Sequence, residues 1–203
     1  MSINLYRGDL PSDLNLGPVV AIDSETMGLK PQRDRLCLIQ LSSGDGNAHL
    51  VKFEQGNYIA PNLVTLLENA EITKIFHYAR FDVAVIKKYL NARTTSIYCT
   101  KIASKLVRTY TDKHGLKDLC KELLNLDLSK QQQSSDWGAK DLTEEQKTYA
   151  ASDVLYLHKI KEILDERLLR EEREELAAFC FEFLQTRANL DLLGFENEDI
   201  FSH

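Results

Sequence analysis

The sequence predicts a single α/β domain, a mixed sheet flanked by helices with a helical C-terminal half. Three observations carry that reading: short apolar runs bounded by turn residues crowd the first hundred positions, a hairpin-like loop joins two of those runs, and helix-period patterns fill the remainder. With 203 residues and 43% hydrophobic content, the chain has enough apolar material for one substantial core.

The opening strand is Val19-Val20-Ala21-Ile22, bounded by Pro18 and Gly28, with Asp23 and Glu25 at its exit. Leu36 to Leu41 and Ala48 to Phe53 read as the next two strands. Between them lies Ser42-Ser43-Gly44-Asp45-Gly46-Asn47, so the sheet starts as an antiparallel meander. Leu63, Leu66, Leu67 and Ala70 recur at helical spacing behind Pro61. Ile72 to Phe76 is a fourth strand, Phe81 to Leu90 a helix and Ile97 to Cys99 a short extended piece. From Lys101 the pattern is helical, interrupted at His114-Gly115 and from Ser129 to Gly138. Thr143 with Glu144, Glu145 and Gln146 opens a helix expected to run to about Leu164. Leu176, Phe179, Cys180 and Phe183 continue at helical spacing toward Leu193, Phe195, Ile200 and Phe201; they pack on the chain's own core or bury against another subunit.

Composition narrows the function classes. No apolar run reaches membrane-spanning length, and the first residues lack a basic segment followed by an apolar stretch, so a soluble, cytoplasmic protein with no membrane partner is expected. Cys37, Cys99, Cys120 and Cys180 are scattered, which argues for reduced packing residues with no disulfide framework and no zinc. The net charge is −6, but residues 165 to 203 alone carry −7. Between Lys101 and Lys121 six basic residues (Lys101, Lys105, Arg108, Lys113, Lys117, Lys121) face only Asp112 and Asp118: a modest phosphate-facing surface, or an ordinary solvated helix face. His49, His114, His158 and His203 suggest surface or helix positions and carry no role.

Three acidic segments carry chemistry. On a strand, i and i+2 share a face, so Asp23 and Glu25 point the same way and repel unless a cation lies between them. Taken alone, an Asp-x-Glu more often marks solvated acids in a turn. Asp82 lies where a strand gives way to a helix, a position that also suits a capping acid. Tyr149 and Asp153 are four apart on one helix face, and Asp153 stands among Ala151, Val154, Leu155 and Leu157, where an unpartnered carboxylate is costly.

Ile22 to Thr26, His77 to Asp82 and Tyr149 to Asp153 resemble the three exonuclease motifs of the DEDD superfamily, in the tyrosine-containing branch that includes RNase D. The histidine-containing branch places its His five residues before the last Asp, and here that position is Thr148. Lys130 to Trp137, followed by Leu142 to Gln146, is also similar to the RNase D pattern, and the likeness spans roughly residues 18 to 165. RNase D continues into a helical nucleic-acid-binding domain, for which no room remains after residue 190, and usually has Asp in place of Cys99 and Asn in place of Tyr78. Length and motif form are most similar to the small bacterial nano-RNase C group.

The resemblance implies a ribonuclease H-like exonuclease fold over one domain, 1–203, with residues 165–203 as a helical extension for packing or oligomerisation. It implies a metal-dependent 3′–5′ exoribonuclease that hydrolyses short single-stranded oligoribonucleotides, dinucleotides included, to nucleoside 5′-monophosphates, and a homo-oligomer that forms an octameric ring. Asp23, Glu25, Asp82 and Asp153 would hold two divalent cations, Mg²⁺ or Mn²⁺, and Tyr149 would orient or help deprotonate the attacking water. Thr26, Met27 and Leu29 would meet the terminal base, and His77, Tyr78 and Trp137 a phosphate or a base, each with turn or core packing as the alternative. DNA ends as substrate, and a catalytically silent RNA-binding scaffold, are the competing readings.

Overall fold

A computed structural model describes residues 2–128, 132 and 135–203. In chain order the elements are β1 (Ile3–Arg7), β2 (Val19–Thr26), β3 (Leu36–Ser42), β4 (Ala48–Lys52), α1 (Pro61–Glu68), β5 (Thr73–Phe76), α2 (Ala79–Leu90), β6 (Ile97–Cys99), α3 (Thr100–Val107), α4 (Leu116–Leu124), α5 (Glu144–Leu155), α6 (Leu157–Arg170) and α7 (Glu174–Leu192). Six strands form one mixed sheet in the order β1-β4-β3-β2-β5-β6. β2, β3 and β4 are the expected antiparallel meander, and β1, β5 and β6 join it in parallel. Of the stretch Lys130 to Trp137, residues 130, 131, 133 and 134 lie outside the described residues, as does Ser129.

β3 and β4 are buried along their whole length, because helices cover the sheet. The main core joins β2, β3 and β5 to α1, α2 and α6 through Ile22, Ile39, Ile75, Leu63, Val83 and Ile160. A smaller cluster of Leu38, Leu50, Trp137, Leu142 and Ala150 lies beneath α5. α5 packs across β2, β3 and β4, while α7 lies along α2. No helix among the described residues is long and apolar enough to cross a membrane.

Several expectations change. β1 was not expected: it is a five-residue, half-buried edge strand whose pattern shows no clear alternation, and it exists because β4 offers it a parallel partner. β2 continues through Asp23 and Glu25 to Thr26, so both acids lie within the strand rather than at its exit. The helix expected to reach Leu164 breaks at Tyr156 into α5 and α6, without proline or glycine, and ends at Arg170. His49 is buried on β4, hydrogen-bonded to Tyr6 at 3.0 Å, and is no surface residue. Arg108 leaves the supposed basic face altogether: fully buried, it pairs with Glu122 and donates to the Lys113 carbonyl at 2.7 Å. The four cysteines are free thiols, three of them buried.

The C-terminal stripe had two expected fates, the chain's own core or another subunit. α7 buries Ala177, Phe181, Leu184 and Ala188, whereas Leu176, Phe179 and Phe183 face outward. They do not pack on the chain's own core. Ala177, Phe181, Leu184 and Ala188 share the face of α7 that packs on its neighbours, and Leu176, Phe179 and Phe183 lie off it.

Candidate active site

Parallel pairing of β2 with β5 stops at Ala21↔Ile75, two residues before Asp23. Beyond that point the chain leaves β5 through His77 and Tyr78 and turns into α2, so a crevice opens at the carboxyl end of the central strands. Tyr78 makes the turn with φ 73° and ψ 44°, left-handed backbone that a non-glycine residue seldom adopts. Asp23 and Glu25 look into the crevice from β2, Asp82 from the first turn of α2, and Tyr149 and Asp153 from α5. The start of α5 is set by the expected capping box, in which Thr143 Oγ1 accepts from the Gln146 backbone and Gln146 Oε1 accepts from the Thr143 backbone.

Asp23, Glu25 and Asp153 each offer a carboxylate oxygen within 4.8 Å of the others. Asp82 stands apart from that trio and accepts the Ser24 hydroxyl at 2.7 Å; it is 2% exposed. Burial pushes the Asp23 carboxyl up to about 7, against the Ser24 backbone N–H that favours its ionised form. Burial, then the charges of Asp23, Asp153 and Asp82, push Glu25 up to about 10. Asp82 and Asp153 are raised well above the usual carboxylate range by burial and by Asp23. Tyr149 is raised as well, by burial first and then by the acids around it, so its phenol stays protonated.

Among the described residues no lysine, arginine or histidine forms an ion pair with any of the four acids. An all-oxygen donor set, converging in a crevice and lacking a cationic side chain, fits hard divalent cations.

The crevice has a volume of about 620 Å³, and every residue expected at the site lines it. Thr26 turns its hydroxyl back onto the Gly28 carbonyl, while Met27 and the 86%-exposed Leu29 form an apolar lip. Tyr78 is half exposed, with the Lys101 ammonium 4.3 Å from its ring centroid. His77 is pushed down to about 3 by burial and by Lys101, so its ring is neutral. The Thr100 hydroxyl donates to the Phe76 carbonyl at 3.1 Å, which leaves it to accept from His77 Nδ1–H at 2.9 Å. His77 is therefore left with an acceptor Nε2 and carries no positive charge. Trp137 is 2% exposed and packs on Tyr149 with ring centroids 6.0 Å apart. It backs the tyrosine and offers no open face to a base. Its loop is seated by Lys52 Nζ on the Trp137 carbonyl and Arg35 Nη2 on the Gly138 carbonyl, both at 3.2 Å. A Cβ at Gly138 would meet the flexible ends of Met27 and Arg35, each 2.6 Å away, which would have to shift to make room.

Two residues at the site were given no role by the motifs. Ser24 bonds Asp82, and Gln40, fully buried on β3, donates from Nε2 to Asp23 at 3.3 Å. Only the β2–β3 register, Asp23↔Gln40, could have found the second.

The comparisons agree with this geometry. A 3′-5′ exonuclease family matches residues 8–169. Ribonuclease D of Gluconacetobacter diazotrophicus is 33% identical over 161 residues, which cover 79% of this chain and 40% of that protein. The chain thus spans about two fifths of the length of the ribonuclease D relatives it matches. Among solved structures, Brucella melitensis NrnC with bound Mg²⁺ is 52% identical with a TM-score of 0.96, covering 100% of both chains. The same protein bound to pGG is 53% identical at 0.96, covering 100% of this chain and 99% of that one. Escherichia coli RNase D is 25% identical at 0.74, covering 84% of this chain and 45% of that one. With a central strand that carries paired acids, and with the family's match running from residue 8 through α5 and most of α6, the chain belongs to the 3′-5′ exonuclease family.

Proposed function

We propose that the protein is a 3′–5′ exoribonuclease that hydrolyses short single-stranded oligoribonucleotides, dinucleotides included, to nucleoside 5′-monophosphates. The observation that carries the proposal is the meeting of Asp23, Glu25 and Asp153 within 4.8 Å, with Asp82 alongside and no cationic side chain among them. Asp23, Glu25, Asp82 and Asp153 would hold two divalent cations, Mg²⁺ or Mn²⁺, which would supply activation of a water and offset charge on the scissile phosphate. Tyr149, whose phenol is raised by burial and by the acids, orients that water by hydrogen bonding or helps to deprotonate it. Met27 and Leu29 present apolar surface to the terminal base, and Tyr78 with Lys101 lines the same crevice. The short-substrate reading is supported by the full-length likeness to Brucella NrnC, whose structure was obtained with pGG.

The chain acts as one domain, with residues 165–203 as an extension that joins copies in a cytoplasmic homo-oligomer, an octameric ring by family likeness. Outward-facing Leu176, Phe179 and Phe183 support that contact.

The test is a time course with 5′-labelled di- to heptaribonucleotides in Mg²⁺ or Mn²⁺, beside EDTA and Asp153→Asn. The dinucleotide should disappear only with metal, and at least about a hundredfold more slowly in the variant. Retained turnover in Asp153→Asn would sink the assignment. Competition by deoxyribodinucleotides that matches competition by RNA would move the substrate to DNA ends.

A further inference from the structure

Asp191 stands in the last turn of α7, the negative end of the helix, where an acid is disfavoured, yet it is only 5% exposed. Two arginines converge on it. Arg80 reaches it as a fork, Nε to Oδ2 at 2.6 Å and Nη2 to Oδ1 at 2.8 Å. Arg187, one turn back on α7, gives Nε and Nη2 to Oδ1 at 3.0 and 2.8 Å. The backbone carbonyl of the same residue accepts Gln32 Nε2.

Two of these partners lead to the crevice. Arg80 is in the first turn of α2, two residues after Tyr78 and two before Asp82. Gln32 belongs to the loop between β2 and β3 that carries Met27 and Leu29. That loop is otherwise polar and half exposed, and Tyr78 sits in left-handed backbone that lasts only where the surroundings hold it. Asp191 itself does not line the crevice. The tail folds onto the same point, since Arg80 Nη2 also donates to the Glu196 carbonyl at 2.6 Å and Arg187 Nη2 to the Phe195 carbonyl at 2.5 Å.

We infer that Asp191 is a positioning residue: from the C-terminal helix it holds Arg80 and Gln32, and through them the Tyr78 and Leu29 lips that receive the substrate. The inference rests on the exonuclease reading above, and it makes the C-terminal helix part of the binding site's frame. A bidentate guanidinium–carboxylate pair fixes direction as well as distance, and a displaced lip costs binding without touching the metal ligands.

The test uses the full chain carrying Asp191→Asn, which keeps shape but loses the charge and one acceptor oxygen, and separately Gln32→Ala. Asp191→Asn should raise KM for a 5′-labelled diribonucleotide roughly tenfold, with kcat and Mn²⁺ affinity held within about twofold. Gln32→Ala should move KM the same way by less. Affinity for the dinucleotide, measured by anisotropy in an Asp153→Asn background, should weaken by the same factor as KM. Arg80→Gln combined with Asp191→Asn should be no worse than the worse single variant, since the pair acts as a unit.

A purely structural role would lower the melting temperature and leave KM unmoved wherever the variant is folded; that result in both variants overturns the inference. If Asp191→Asn fails to fold, Gln32→Ala decides alone. If the wild type shows no metal-dependent hydrolysis, the exonuclease reading fails instead, and the anisotropy comparison still decides whether Asp191 shapes the crevice.

Discussion

Gln40 donates to Asp23 from Nε2, and its own Oε1 is buried without a hydrogen-bond partner among the described residues. Keeping such a group inside a sheet is costly, and the return is orientation of a carboxylate in the cluster. Gln40→Leu removes the donor and the orphaned oxygen together, so stability should change little while Mn²⁺ affinity falls roughly ten- to a hundredfold. Calorimetric Mn²⁺ titration checks this, and unchanged affinity refutes it. The residue scale also shows what motifs hide. That Asp23 pairs with Glu25 and Tyr149 with Asp153 was legible because i, i+2 on a strand and i, i+4 on a helix are local relations, and the resemblance to the exonuclease motifs joined the two pairs into one site. Trp137 and His77 were legible as residues near the site but not in state: one is closed off behind Tyr149, the other held neutral by burial.

At the scale of elements, α5 carries both Tyr149 and Asp153, and its first turn is held by the reciprocal Thr143–Gln146 pair. Gln146 Nε2 also donates to Ser135 Oγ at 2.8 Å and the Asp136 carbonyl at 3.1 Å, which ties the Trp137 loop to the helix start. Thr143→Ala should cost about 1 kcal/mol, lowering the melting temperature by about 2–4 °C with kcat unchanged at assay temperature; scanning calorimetry beside a rate assay reads both. The cap was visible as Thr-x-x-Gln, whereas the break at Tyr156 was not, because nothing in the local residue types forbids continuing the helix. α7 taught the opposite lesson. Apolar residues occupy two of its faces, and periodicity cannot say which of them meets the core.

For the whole molecule, the raised carboxylates make stability depend on pH in an unusual direction. A carboxyl whose folded pKa exceeds its unfolded value binds more protons when folded, so stability falls as pH rises from about 4 through the folded value, about 7 for Asp23 and about 10 for Glu25. EDTA-treated protein should therefore melt at progressively lower temperature from pH 5 to pH 8. Mg²⁺ or Mn²⁺ should restore the loss, more strongly at higher pH, because cation binding requires the deprotonated ligands. Asp23→Asn should flatten the pH dependence of the EDTA-treated protein. A melting temperature that rises over this range without metal would contradict the arrangement.

By itself the sequence determined the chemistry and most of the sheet. The acids and the tyrosine are named by motifs that resemble those of a known exonuclease family, and the β2–β4 meander by its apolar runs and one hairpin loop. The tertiary structure alone decided what surrounds them. Gln40 meets Asp23 across 17 residues and Arg80 meets Asp191 across 111, distances over which no periodicity operates. β1 forms because a partner strand is present, Arg108 is buried because Glu122 and the Lys113 carbonyl receive it, and α7 leaves Phe179 and Phe183 outward because Ala177, Phe181, Leu184 and Ala188 take the packed face. Each depends on what another part of the chain presents, and that is set only when the elements pack.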